Sequence, residues 1–387
     1  MPYFIPLGIP DFKGKKDRDF IQVSYLIEGN DAVELTIQIR DGGKIIYQEK
    51  ITDSSKLTKG EHRWKWNGFD SNGIYDSAVF TTAKDLNIYT IAIDNEENYS
   101  RKRVEFTAKY SEVKWVDVKI NKNTKRIDVT LRVNLKDGGE IGTEKDCTQV
   151  GSGQYSSIKT VCPWEKIPEK DIKRYGNPPI KSRTKSFKDL EQLALEGLSY
   201  HWGRNKNHFI AKNVDINGEL YEVFVNAINT TKKAMDDVDL IFNTNHKWMR
   251  SGNPGTVEDP ISFVGNIVSR EAICYNVGYI YEYFYKDSWD YQIENSENLE
   301  FKFTSSHEIG HTILKAYGGT FYSYGHKESV NTITQKMKST APEYPKTGEI
   351  DIMPYYPQSP PPTVYNRYIA SEKDVLSLLW LTKLKLK

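Results

Sequence analysis

Along the first hundred residues, apolar positions recur at every second place. Val33, Leu35, Ile37 and Ile39 alternate with polar neighbours, Asp41-Gly42-Gly43 turns the chain, and Ile45 and Tyr47 resume the alternation. Successive side chains of a strand point to opposite faces, so this period of two predicts a hairpin with one buried face. Ile88-Tyr89-Thr90-Ile91-Ala92-Ile93 and Val104-Glu105-Phe106 read as further strands, and strands at this spacing predict a β-sandwich over residues 1–108. A second hairpin follows, with Val113, Trp115 and Val118 before the turn Asn121-Lys122-Asn123-Thr124 and Ile127, Val129, Leu131 and Val133 after it. From about 141 to 186 the pattern dissolves into Lys, Glu, Gly, Ser and Pro, including Gly176-Asn177-Pro178-Pro179, which predicts a linker or long loop. Residues 109–185 are therefore expected to be a hairpin extension and linker.

In the second half the period changes. Leu190, Leu193, Leu195 and Leu198 predict a helix over 189–200, the stretch 221–227 alternates as a strand, and 232–241 reads as a helix. The tyrosine-rich stretch 275–285 predicts a strand pair or a substrate-facing surface. Phe301 and Phe303 alternate with polar residues as a short strand would, and Thr304, Ser305 and Ser306 then offer N-caps. Ile309, Ile313, Leu314 and Tyr317 form an apolar stripe at helical spacing that ends at Gly318-Gly319. A last helix over 371–384 would bury Val375, Leu378, Leu379 and Leu381. The fold class expected is α+β, and no internal repeat of 20–50 residues is visible.

Inside that stripe stands His307-Glu308-Ile309-Gly310-His311. Residues four apart share a helix face, so two imidazoles can reach one metal ion while Glu308 points to the side, where a polarised water could sit. This is the pattern of zinc peptidases, with two ligands and a general base. Ser305-x-x-Glu308 also fits a capping box, which would explain Glu308 but not the histidine spacing. Gly310 costs a helix about 1 kcal/mol against alanine, which a close approach of another segment or of substrate would justify. A catalytic zinc needs a third protein ligand. The continuation that supplies a nearby third histidine fails, because Leu314 and Tyr317 stand where glycine and histidine belong. His326, Glu349 and Asp351 are the candidates, with Glu328 and Glu343 behind them, and spacing does not choose between His326 and Glu349.

Length and composition narrow the classes. A chain of 387 residues has room for two or three domains, and 38% hydrophobic with 27% charged residues describes an ordinary globular protein. The 53 basic and 52 acidic residues leave a net charge of +1 without a basic stripe, so no nucleic-acid partner is expected. No stretch approaches the roughly 20 apolar residues of a membrane span, and the N-terminal residues do not form a secretory signal. Of three cysteines, Cys147 and Cys162 flank a polar segment and could close a disulfide loop or stay as thiols.

Ser306-His307-Glu308-Ile309-Gly310-His311, Ala316-Tyr317-Gly318-Gly319, Tyr322-Ser323-Tyr324-Gly325-His326-Lys327 and Gly348-Glu349-Ile350-Asp351-Ile352-Met353 together resemble a bacterial group. It is the zincin metallopeptidase effector domains that travel with the spike proteins of type VI secretion systems. The resemblance covers residues 190–387 and rests mainly on 304–356. It implies a zincin-like metallopeptidase domain over 186–387, with Zn2+ held by His307, His311 and the downstream Glu349. Glu308 is then the general base for hydrolysing a peptide bond. Our own inference, beside the resemblance, is that His326 either supports a ligand or acts in the transition state, where it is the first choice as oxyanion donor, ahead of Tyr324, Tyr355 and Tyr365. Asp351 would orient a ligand histidine. The segment 60–73 is similar to immunoglobulin-like domains of the flagellar hook-cap type, and its tryptophans are expected to fill the core. The implied protein is a toxin secreted without a signal peptide, acting in a target cell's periplasm or in a host cell. Its partners would be a protein or peptide substrate, a spike protein and a cognate immunity protein. Alternatives are a metalloamidase on cell-wall crosslinks and a non-enzymatic spike or adhesin component clamped by zinc.

Overall fold

The structure, a computed structural model, describes residues 3–141, 143, 148–150, 159–161, 180, 182–244, 251, 272–283, 286–291, 296–324, 327, 329–330, 337–357 and 362–387. It is an α+β chain, rich in sheet. Two compact units emerge, one from residues 1–130, 213–224 and 376–387, the other from 131–212 and 225–375. The sequence places boundaries near 108 and 185, whereas the packing gathers separated segments into each unit.

In the first unit, Lys44–Ile51, Ala32–Asp41, Leu86–Asp94 and Tyr99–Glu105 lie side by side as an antiparallel sheet. The hairpin expected from the alternation is there, with Ile39 opposite Tyr47 and Gly42 taking the left-handed turn. Ile21–Ile27 pairs with Gly60–Trp66, and this pair lies against the sheet through its tryptophans. The Trp66 ring stacks on Tyr47 at 5.5 Å, and Trp64 donates its indole N–H to Glu49 at 2.8 Å. Both rings are buried, as the sequence led us to expect, and truncating either would cost roughly 3–5 kcal/mol. Helix α1 (Ser77–Thr82) is capped by Asp76, whose carboxylate accepts from the Ala78 amide.

The second hairpin also forms, as Val116–Asn121 and the first residues of Arg126–Ile141. The end of the chain departs from expectation. Its helix stops at Trp380, and Leu384–Leu386 becomes a strand between Tyr3–Phe4 and Ala108–Tyr110. Leu384 and Leu386, two apart and buried, follow the period of a strand. The leucines of the preceding helix hide that change of period in the sequence.

In the second unit, helix α2 (Phe187–His201) begins with a reciprocal capping box between Ser186 and Asp189. Residues 131–141, Asp237–Asn243 and Ala272–Asn276 make parallel strand pairs. The helix expected over 232–241 is thus a strand from Asp237 onward. Buried Val238, Leu240 and Phe242 alternate with Asp237 and Asp239, and that period of two prevails over helical propensity. Gly278–Tyr283, inside the tyrosine-rich stretch, pairs antiparallel with Lys286–Tyr291, which follows it. Helix α3 (Ser296–Gly318) packs on α2 and on Ala272–Asn276, and the short α4 (Thr320–Tyr324) follows. Helix α5 (Glu372–Trp380) begins in this unit.

Helix α3 corrects two expectations. Phe301 and Phe303 are helical rather than a strand, and Ser305 lies in mid-helix, so it is not an N-cap and no capping box accounts for Glu308. The helix extends because its aromatics find partners on two sides. Phe301 meets Tyr275 edge-on at 5.4 Å, and Phe303 meets Tyr368 at 4.7 Å. A helix buried on several faces shows no single apolar stripe. Cys147 and Cys162 lie outside the described residues, as does Gly176-Asn177-Pro178-Pro179, while Cys274 is buried and forms no disulfide among the described residues. No described helix is long and apolar enough to cross a membrane.

Candidate metal centre

The i, i+4 spacing on α3 brings His307 and His311 together. Their rings stand edge to face with centroids 4.8 Å apart, and both side chains are buried. Two imidazoles on one tetrahedral zinc have ring centres about 5 Å apart, so the pair fits such an ion. Upstream, Ser305 and Ser306 turn their hydroxyls back to the carbonyls of Phe301 and Lys302, at 2.7 and 2.8 Å, and leave the helix unbroken.

Each ring is oriented from behind by a carbonyl. His307 Nδ1 lies 2.7 Å from the Ile352 oxygen, and His311 Nδ1 lies 2.5 Å from the Ser323 oxygen. A carbonyl only accepts, so Nδ1 donates in both rings, and in the neutral form of such a ring the lone pair sits on Nε2. Ser323 closes the contact by donating its hydroxyl to the His311 carbonyl. Carbonyl support at the distal nitrogen is the arrangement that raises the basicity of metal-ligating histidines.

The close approach anticipated at Gly310 is present. A Cβ there would stand 2.8 Å from Trp202 Cζ2 and 2.9 Å from Met353 Sδ. Trp202, just past the end of α2, is fully buried and donates its indole N–H to the Ser306 carbonyl at 3.0 Å. Phe303 and Tyr355 flank the His307 ring, at 6.0 and 6.4 Å. Tyr365 lies against Phe303 at 5.4 Å, and burial, with Glu300 adding to it, raises its hydroxyl pKa. Glu308 is half-buried on the same helix.

Glu349 sits in the segment that carries the Ile352 carbonyl to His307, yet its own partner is Arg204. The buried guanidinium of Arg204 reaches Glu349 Oε1 at 2.6 Å and the Ala370 carbonyl at 3.1 Å. Asp351 faces Lys327 at 2.5 Å rather than a motif histidine, and Lys327 also meets Asp374 at 2.5 Å. Burial pushes the Asp351 carboxyl up against the pull of Lys327. Burial works against the Lys327 ammonium too, but Asp374 and Asp351 outweigh it and raise its pKa. His326 and Glu328 lie outside the described residues, as does the Tyr324 side chain. Among the described residues no three His, Cys, Asp or Glu side chains gather as a metal group.

The chemistry therefore stands on a pre-oriented histidine pair with Glu308 beside it. The sequence marks neither Trp202 nor Arg204, and gives Lys327 no role beyond its place in the segment Tyr322-Ser323-Tyr324-Gly325-His326-Lys327. Only Gly310 hinted that a bulky group crosses the helix, and nothing nearby names it as Trp202. Comparison with protein-family models, with curated proteins and with solved structures finds no match to this chain.

Proposed function

We propose that the second unit is a zincin-like zinc metallopeptidase that hydrolyses peptide bonds. His307 and His311 are two of its ligands and Glu308 is its general base. The observation that carries this reading is the pair of buried imidazoles held in the same tautomer by two backbone carbonyls. An ordinary buried histidine pair has no need to direct both Nε2 lone pairs alike.

Zinc bound there would supply Lewis acidity, bringing the pKa of a water down toward roughly 7. Glu308 takes the proton of the attacking water and returns it to the leaving amine. Phe303 and Tyr355 shield His307 from solvent. We assign the third ligand to Glu349 by the resemblance. Its Oε1 is engaged by Arg204, and a carboxylate has a second oxygen to give. His326 is the competing ligand, and otherwise the oxyanion donor.

In this proposal the first unit is an immunoglobulin-like carrier or docking module, and the whole chain is a secreted bacterial toxin. It would dock on a secretion spike, cut a protein or peptide in a periplasm or host cell, and be neutralised in its producer by an immunity protein. The near-complete burial of His307 and His311 favours one second reading, a structural zinc that only clamps the fold. Metal analysis combined with cleavage of a peptide library separates the two. Glu308→Gln should keep one zinc per chain and lose cleavage, while a variant that cuts like the parent, or a parent that binds no zinc, ends the peptidase reading. Zinc stoichiometry that falls in Glu349→Ala and survives in His326→Ala assigns the third ligand to Glu349, and the reverse exchanges them. A metalloamidase would release cell-wall peptides instead, which product analysis reveals.

A further inference from the structure

The two carbonyls that orient the histidines belong to residues next in sequence to members of one buried ion network. Ile352, which meets His307, follows Asp351, and Ser323, which meets His311, follows Tyr322. Lys327 Nζ joins Asp351 and Asp374, each at 2.5 Å, and reaches Ser371 Oγ at 3.2 Å. The Tyr322 hydroxyl donates to the other oxygen of Asp374 at 2.7 Å. A continuous path, Tyr322–Asp374–Lys327–Asp351, thus links the residue before one orienting carbonyl to the residue before the other. Asp374 is wholly buried and Lys327 mostly so.

Buried ion networks are weak sources of stability, because desolvating the charges offsets their attraction. They do fix geometry, since an ammonium between two carboxylates admits few arrangements. Here the geometry concerned is the placement of two backbone segments, from different parts of the chain, against one helix face.

We infer that Lys327 is a positioning residue for the histidine pair: by joining Asp351 to Asp374 and Tyr322, it holds the Ile352 and Ser323 carbonyls on Nδ1 and keeps Nε2 of both rings as the ligating nitrogen. The consequence for zinc affinity rests on the proposed metal site. The consequence for the tautomers holds in metal-free protein.

The test uses the full chain with 15N-labelled histidine, metal-free at pH 8, and reads the ring tautomers from long-range proton–nitrogen correlations. Both His307 and His311 should be Nδ1–H in the parent. Lys327→Met should move both toward the tautomer average and weaken zinc binding, measured against a competing chelator, by about 10–100-fold. Tyr322→Phe, which removes one hydroxyl, should disturb His311 more than His307. A folded Lys327→Met protein with parental tautomers and parental zinc affinity overturns the inference. If that variant does not fold, an unchanged His311 signal in Tyr322→Phe overturns it instead. Tautomers that shift in a chain binding no zinc would uphold the positioning role while ending the metal reading. A chain that binds zinc, with tautomers indifferent to both substitutions, would do the opposite.

Discussion

Trp202 donates its indole N–H to the carbonyl of Ser306, 3.0 Å away, and so lies across α3 immediately before the first motif histidine. The ring needs the space that Gly310 leaves. Gly310→Ala would relieve a helix penalty of about 1 kcal/mol but press a methyl group onto Trp202 and Met353, and overpacking of that kind costs about 1–3 kcal/mol. The expected outcome in urea titration is a net loss of up to about 2 kcal/mol, and the proposed zinc site should weaken with it. A variant as stable as the parent would mean that the indole can step aside.

Helices α2 and α3 touch at their backbones. A Cβ at Gly197 would strike the Lys302 carbonyl group, lying 2.8 Å from its carbon, and a backbone group cannot rotate away as a side chain can. Gly197→Ala should therefore destabilise more than Gly310→Ala, toward the upper end of about 1–3 kcal/mol. Thermal melts of the two variants side by side check the order, at roughly 2–4 °C per kcal/mol.

Stability should fall as the solution is acidified through the histidine range. Burial pushes the pKa of His201 down to about 4, and His208 follows in the same direction through burial and the neighbouring His201. His208 Nδ1 already accepts the amides of Ile210 and Ala211, so it has no lone pair to spare for a proton. The unfolded chain protonates near 6.5 and the folded one does not, so the unfolded state binds more protons between pH 6.5 and 4. The stabilisation is fully present above pH 6.5 and is lost as pH falls toward 4, by about 3 kcal/mol for His201. Urea titrations at pH 7.5, 6 and 5 measure the slope, and His201→Gln should flatten it. Flat stability across that range would show that the folded protein accepts these protons.

Arg204 holds the Glu349 segment and the Ala370 carbonyl together from a buried position. Arg204→Met leaves Glu349 in partial contact with water but strips the Ala370 carbonyl of a charged donor. The expected loss is about 1–3 kcal/mol by urea titration. Arg204→Lys should restore little, because an ammonium cannot span two acceptors as the planar fork does. Full stability in the lysine variant would show that charge alone matters at this position.

Much of the candidate site is legible in the sequence. The helical spacing of His307 and His311 made them a pair whatever surrounds them, and Gly310 announced a close neighbour. The start of α3 was misread because Phe301 and Phe303 alternate over too short a span to distinguish a strand from a helix buried on two sides. The strand Asp237–Asn243 was misread for the related reason that its neighbours on both sides come from distant segments. Glu349 could be proposed from the sequence, but its ion pair with Arg204 joins residues 145 apart, and no local pattern marks it.

The chain by itself determined the local periods, the capping box that starts α2 and the shared face of two imidazoles, because each depends on bonds and spacings within a few residues. Tertiary structure alone decided which nitrogen of each ring carries the proton. The acceptors are backbone oxygens 45 and 12 residues away, at Ile352 and Ser323, and every residue carries such an oxygen. A carbonyl has no signature in an amino-acid sequence, so its role exists only once the fold has delivered it.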